Sequence, residues 1–446
     1  MYLTRRSTAE WLFWLGLLLA PFYNVLLFEI AGIELSVVDA VFLVAFALWS
    51  LSVLRRGRFR ANTALGLMIL FLLFSLFSSL LSVEVLVALK RWGRTLMRVL
   101  VFAVMMSDLM FYSKRRRVYV VLFVISGVLF GVLNYADFFV SPEVFLRTFF
   151  ANPMRLSANL RFIYPAESIT AQLGNYGHEI GHWQSATVLL TLSLLFTSSS
   201  RQKQIGWAIL LLTSSTTLMF SMTKSAWLGL AVGLLYLTWR LYLSQGVRVK
   251  GSLMLVKTRL LGTALLLVGI SVLVGSIFWF VILPSGTRLL INLSFTFQDA
   301  SSVGRLDIWR GLVPIIGENW LMGVGWGNLV ARNLSADPHN WWLGLLAETG
   351  VLGFISYAAS YILMLRRIDR HAGNTDRITS ILAVGANAAL LSVGVEGLFE
   401  MSFMWSLTVW FCIGLALFSS QLFSSAHRVV PVVATSKTDK GVVLDS

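Results

Sequence analysis

Long apolar runs recur along almost the whole chain, and this repetition constrains the fold more than any other feature. A stretch such as LGLMILFLLFSLF (65–77) is apolar around its full circumference, with no alternation that would suit a half-buried strand. Runs of about 18 to 23 residues are each long enough to cross a hydrocarbon core of about 30 Å as a helix. They fall near 11–28, 35–54, 64–83, 95–112, 118–140, 183–199, 205–222, 225–243, 261–283, 342–365, 378–398 and 403–424. With 57% apolar and 13% charged residues in 446, the composition is that of a bilayer protein. The expected fold class is all-α, a polytopic transmembrane helix bundle of about 12 spans, because helices satisfy their own backbone hydrogen bonds in lipid. A β-barrel is excluded by the missing alternation.

Lys and Arg set the expected orientation. With Arg5 and Arg6 on the cytoplasmic side, the clusters RRGRFR (55–60), KRRR (114–117), SRQK (200–203), Arg240 to Arg259, RRIDR (366–370) and the tail also fall inside. Most of the 36 basic residues are then cytoplasmic, and most of the 21 acids are not. The first run has no clear small-residue cleavage site after it and reads as a retained helix. The net charge of +15 is largely accounted for by these short loops, so nucleic acid is not an expected partner. The lone Cys412 allows neither an intramolecular disulfide nor a cysteine metal cluster.

This topology divides the chain into spans one to nine (1–283), a large outer loop (284–341), spans ten to twelve (342–424) and a cytoplasmic tail (425–446). A second outer segment, 141–182, lies between spans five and six. Within the large loop, SVGRLDIWRGLVPIIG (302–317) spaces Leu306, Trp309, Leu312, Val313 and Ile316 as one apolar face, the pattern of an amphipathic helix at a membrane surface. A glycine-rich turn, MGVGWGN (322–328), follows, and ADPHNWW (336–342) leads back into the bilayer.

Cations near the outer face run against the positive-inside bias. Lys90, Arg94 and Arg98 recur every four residues on one face of a helix entering the fourth span, with Arg91 beside them. Lys224 occupies a short outer turn, and Arg305 and Arg310 lie on the amphipathic segment. Each taken alone fits a side chain snorkelling to lipid phosphates. Together they fit an anionic ligand, since Arg grips phosphate through a planar fork and Lys as a point charge.

His339 follows Asp337 and Pro338 and opens a helix carrying Asn340 and Glu348. Imidazole exchanges a proton near neutrality, so it is a candidate acid or base. His178 and His182 enclose Glu179 in HEIGH, which satisfies the letters of the H-E-x-x-H zinc pattern. A third ligand from His339 or Glu167 keeps a metalloprotease among the readings, against a structural role for both histidines.

GRLDIW (304–309), GVGWGN (323–328) and HNWWLGLLAETGVLGF (339–354), in that order, resemble the signature of the O-antigen ligase and O-antigen polymerase superfamily. The resemblance implies a bacterial inner-membrane enzyme that moves a glycan from undecaprenyl diphosphate to an acceptor hydroxyl on the periplasmic side, with no metal and no cofactor. The acceptor is a lipid A core sugar for a ligase, or a second lipid-linked glycan for a polymerase. By the same resemblance Arg305 binds diphosphate and His339 activates or orients the acceptor, with Glu348 and Asn340 in support. Lys90, Arg91, Arg94, Arg98 and Lys224 are further diphosphate-binding candidates, and His178 and His182 line the cavity. Thr223 and Lys224 stand where the family often has Ser-Arg, which keeps the charge and loses the fork. A transporter of the same lipid-linked sugar is the expectation from another class.

Overall fold

The computed structural model describes residues 2–22, 26–30, 33–57, 59, 61–140, 177–221, 223–243, 300–332, 338–371, 377–400 and 406–426. The expected segments 141–176, 244–299 (with the span at 261–283) and the tail beyond 426 lie outside them. Thirteen helices are numbered here: α1 (Tyr2–Leu19), α2 (Val37–Arg56), α3 (Thr63–Leu80), α4 (Val85–Arg98), α5 (Ser107–Tyr112), α6 (Arg116–Val140), α7 (Gly177–Thr197), α8 (Arg201–Ser221), α9 (Lys224–Leu243), α10 (Ala300–Glu318), α11 (Trp341–His371), α12 (Arg377–Glu396) and α13 (Leu407–Ala426). The all-helical expectation needs one correction. Strands β1 (Leu26–Ile30) and β2 (Ile33–Ser36) form an antiparallel hairpin between α1 and α2.

Among the described residues, six helices are long and apolar enough to cross a membrane: Val37–Arg56, Thr63–Leu80, Val85–Tyr112, Arg116–Leu133, Trp341–Arg366 and Thr379–Glu396. Thr8–Phe22 and Leu407–Ser419 are shorter apolar helices. The dozen expected spans are thus not confirmed among the described residues, which omit the expected span at 261–283. Helices α7 and α8 have the length, but Ser, Thr and Gln, with His in α7, dilute their apolar residues, and Gln184, Ser185, Thr187, Thr191 and Ser193 of α7 are buried. These polar groups turn toward other helices, where their hydroxyls donate to carbonyls a turn earlier, as Thr187 does to Trp183 at 2.8 Å.

The expected fourth span begins ten residues early. Helix α4 continues through a π-helical stretch, Val99–Met106, into α5, giving 28 residues in all, or about 42 Å at the α-helical rise. That exceeds the hydrocarbon core, so the basic residues at its start belong to the helix itself. The widened π turn sets the Phe102 carbonyl against Gly414 of α13, where a Cβ would collide with it.

Helices α9 and α12 lie side by side, and α12 also packs along α7, while α3 packs along α11. Lipid gives helices no hydrophobic reason to associate, so close backbone approach through small residues has to supply the attraction. Gly229 and Gly233 of α9 are spaced by four and face α12. A Cβ at Gly233 would lie 3.0 Å from the Ala388 carbonyl, and one at Gly229 2.7 Å from the Ser392 carbonyl. Aromatic rings fill the interior elsewhere. Phe13, Phe42, Phe102 and Tyr119 form one group, and Phe71, Trp341, Trp342, Tyr357 and Tyr361 another.

The two ends of the bundle differ in kind. At one end Asp108, 1% exposed, receives Arg56 at 2.9 Å and the Trp49 indole N–H at 2.9 Å, and Arg117 donates to Ser198 Oγ at 3.1 Å. Segments 55–57, 114–117 and 200–203, all expected to be cytoplasmic, lie at that end beside Asp108 and Ser198. The opposite end collects the α3–α4 turn, the glycine turn, His339 and the ends of α8 and α12. Gly233→Leu is expected to destabilise the α9–α12 contact by about 1–3 kcal/mol, the usual cost of overpacking; a lowered thermal midpoint of the detergent-solubilised protein is the measurement.

Candidate active site

Helix α10 begins the site. The apolar spacing read from sequence is half right: Leu312 is 1% exposed and Trp309 and Ile316 pack partly, but Leu306 and Val313 point outward. The buried face is instead Ile308, Trp309, Leu312, Ile315 and Ile316, which meets Val324, Leu329, Leu343 and Ala347. Arg305 lies one turn before Trp309 on this inner side. Its Nε is buried and has no hydrogen-bond acceptor among the described residues. Arg310 points away, paired with Asp307 at the surface at 3.1 Å.

The turn after α10 takes its shape from glycine. Gly323, Gly325 and Gly327 have φ of 76°, 86° and 72°, a region closed to most side chains. This turn meets a break in α11. At Gly350 (φ 65°, ψ −176°) the helix stops and restarts, so carbonyls of the first half lose their partners. The Val324 N–H donates to Ala347 O at 3.0 Å, the Gly325 N–H to Glu348 O at 2.9 Å, and the Val351 N–H of the restarted helix to Trp320 O at 2.8 Å. Ser78 of α3 adds a 2.6 Å bond to the same Glu348 carbonyl.

Glu348 is expected as a supporting acid, and it is 2% exposed. Its Oε1 accepts the Gly327 N–H at 2.8 Å. The amides of Val324, Gly325 and Gly327 are thus committed within the protein, which leaves them unable to cradle a phosphate in the manner of a glycine-rich anion loop. Asn328, 0% exposed, secures the far side by accepting the Glu84 N–H at 2.7 Å.

The cations of α4 divide along its length. Arg91, which sequence set beside the basic stripe, is the one whose guanidinium lies against Gly327. Lys90 and Arg94 are exposed. Arg98, two turns deeper, pairs with Asp39 at 3.2 Å. Asp39 is held in turn by Ser36, the N-cap of α2, whose backbone N–H and hydroxyl donate to the carboxylate. A charge that far into the helix needs such a partner, so Arg98 is engaged by an acid rather than presented with Arg91. Lys224 is exposed at the first turn of α9, next to buried Thr223, which lies against Gly181.

His339 is reached from three directions. The Trp309 indole N–H donates to the Pro338 carbonyl at 2.6 Å, tying α10 to the preceding residue. Asn340 caps α11 by accepting the Leu343 N–H at 3.0 Å, and the Trp341 N–H donates to Gly397 O at 2.7 Å. Among the described residues His339 is the one non-glycine residue in the left-handed region, with φ 46°, which costs about 1 kcal/mol. Its side chain is 38% exposed, and Nδ1 lies 3.5 Å from Glu400 Oε1.

The HEIGH motif opens α7 rather than ending a loop. His178 lies in the first turn, and its side chain is outside the described residues. His182 is buried, with Nδ1 2.5 Å from Glu396 Oε2. The other oxygen of Glu396 accepts Ser185 at 2.5 Å and Ser392 at 2.9 Å. This places His182 inside the bundle, bound to a carboxylate. Sequence reading missed Glu396 and Glu400. The available signal was two acids four residues apart in VEGLFE (395–400), at the end of an apolar run where acids are rare.

Residues 208–358 match the family model described as O-antigen ligase. This part of the chain is therefore similar to the O-antigen ligase family, whose members are membrane glycosyltransferase-type enzymes. The match takes in Lys224, Arg305, the glycine turn, His339 and Glu348, and ends before Glu396 and Glu400. No curated protein matches the chain. Glu348→Ala is expected to leave the Gly327 N–H without its acceptor and to cost about 1–3 kcal/mol, read as a lower melting temperature with the protein still inserted in the membrane.

Proposed function

We propose that this protein transfers a glycan from undecaprenyl diphosphate to an acceptor hydroxyl at the outer face of the bacterial inner membrane, without a metal or another cofactor. The observation that carries this reading is the Trp309–Pro338 bond, which sets the Arg305 turn of α10 beside His339. A cation for the departing diphosphate and a proton acceptor for the incoming hydroxyl are thereby held on neighbouring backbone.

In the proposed reaction the acceptor oxygen attacks the anomeric carbon as the carbon–oxygen bond to the diphosphate breaks. The undecaprenyl diphosphate leaves with the bonding electron pair, and His339 takes the hydroxyl proton. A single displacement inverts the anomeric configuration. Negative charge grows on the diphosphate as it departs, and fixed Arg305 and Arg91 stabilise it through charge-assisted hydrogen bonds. Lys90, Arg94 and Lys224 extend the positive field toward lipid headgroups. The domain organisation follows the same division, with 284–341 as the catalytic loop between two groups of spans. The resemblance of the large loop supports the ligase form, with a lipid A core sugar as acceptor, as the leading reading; the polymerase form, with a second lipid-linked unit, uses the same residues.

Arg305→Ala and His339→Ala are each expected to lower transfer at least 100-fold, the lower end of what a positioned acid–base group or charge stabiliser contributes, with insertion unchanged. Purified protein given undecaprenyl-diphosphate glycan and either lipid A core or a second lipid-linked unit, with products resolved by mass, is the assay. Near-normal transfer by either variant overturns that residue's role. Activity is expected to survive EDTA, and a loss reversed by Zn²⁺ would return HEIGH to consideration.

A further inference from the structure

We infer that Glu400 is a positioning residue for His339: it holds the imidazole with Nδ1 inward and leaves Nε2 to meet the acceptor. The inference rests on the proposed role of His339 as the proton acceptor.

Three observations point to it. Nδ1 of His339 is buried although the side chain is 38% exposed, so what is open to the outside is the rest of the ring. The Glu400 carboxylate, itself 4% exposed, lies 3.5 Å from Nδ1. That separation is within ion-pair range and too long for a well-formed hydrogen bond, the looseness typical of such a pair before substrate binds. A neutral histidine donating from Nδ1 to a carboxylate presents Nε2 as an acceptor. The same carboxylate stabilises the imidazolium formed when Nε2 takes a proton.

The backbone leading to Glu400 is fixed at two points. One turn earlier, Glu396 is bound by His182, Ser185 and Ser392, which pins the end of α12 to α7. Between the two acids the Gly397 carbonyl accepts the Trp341 N–H, two residues after His339. A group that orients another has to be rigid itself. Here the orienting acid and the oriented histidine hang from segments joined by that bond. The left-handed backbone at His339 fits the same reading, since strain of this kind persists where the surroundings over-determine a side chain's direction.

The test is a double-mutant cycle on the purified full chain with undecaprenyl-diphosphate glycan and acceptor. Glu400→Gln keeps the shape and loses the charge. It is expected to lower kcat by 10-fold or more with KM within about twofold, and to have no further effect in a His339→Ala background, as residues acting as a unit are non-additive. Glu400→Asp is expected to recover part of the kcat, and an unchanged melting temperature separates the effect from misfolding. Full activity of Glu400→Gln beside an inactive His339→Ala overturns the role of Glu400 and leaves the proposed function standing. A raised KM with unchanged kcat overturns it too, by assigning Glu400 to substrate binding. An active His339→Ala overturns the proposed function itself.

Discussion

A helix broken inside a membrane bundle has to find partners for the carbonyls at its end, and the arrangement of this protein follows from how that is done at Gly350. The amides of Val324 and Gly325 cap the carbonyls of Ala347 and Glu348, which fixes the glycine turn to the middle of α11. Glu348 then draws in Gly327, and Asn328 joins the turn to the start of α4. Because the turn follows α10 directly, the same bonds decide where that helix lies and which of its faces looks inward. Arg305, Trp309 and, through Pro338, His339 take their places as a consequence. Without water to solvate stray backbone groups, the alternative arrangements cost several kcal/mol per unpaired group.

Charge is treated differently by depth. Lys90 and Arg94 are exposed on α4, and the more buried Arg98 is matched to Asp39 as Arg56 is to Asp108 at the other end of the bundle. A cation removed from water needs an acid beside it. Arg305 is partly buried, and among the described residues its Nε, like that of Arg56, has no acceptor. The proposed function would supply Arg305 with an anionic one.

Much of this was readable from the chain. Continuous apolar runs gave α2, α3, α6 and the second half of α11, because a helix in lipid needs little beyond length and apolarity. Motif order marked Arg305, the glycine turn and His339. The rest depended on contacts between distant residues. The sequence ETGVLGF (348–354) reads as unbroken helix, and only the approach of the turn makes Gly350 a break. Leu306 and Val313 fit the apolar period of α10 as well as Ile308 and Ile315 do, and tertiary packing chose between them. Arg91 lay off the periodic stripe yet reached the turn. The pairing of His339 with Glu400 joins residues 61 positions apart, which no local pattern encodes.

The backbone of His339 carries an evolutionary consequence. In the left-handed region glycine or asparagine rests more comfortably than histidine, so selection for stability alone would steadily remove this side chain. A histidine at such a position is thus a cost to the fold, and glycine or asparagine there is expected to raise stability while removing the imidazole on which the proposed function depends.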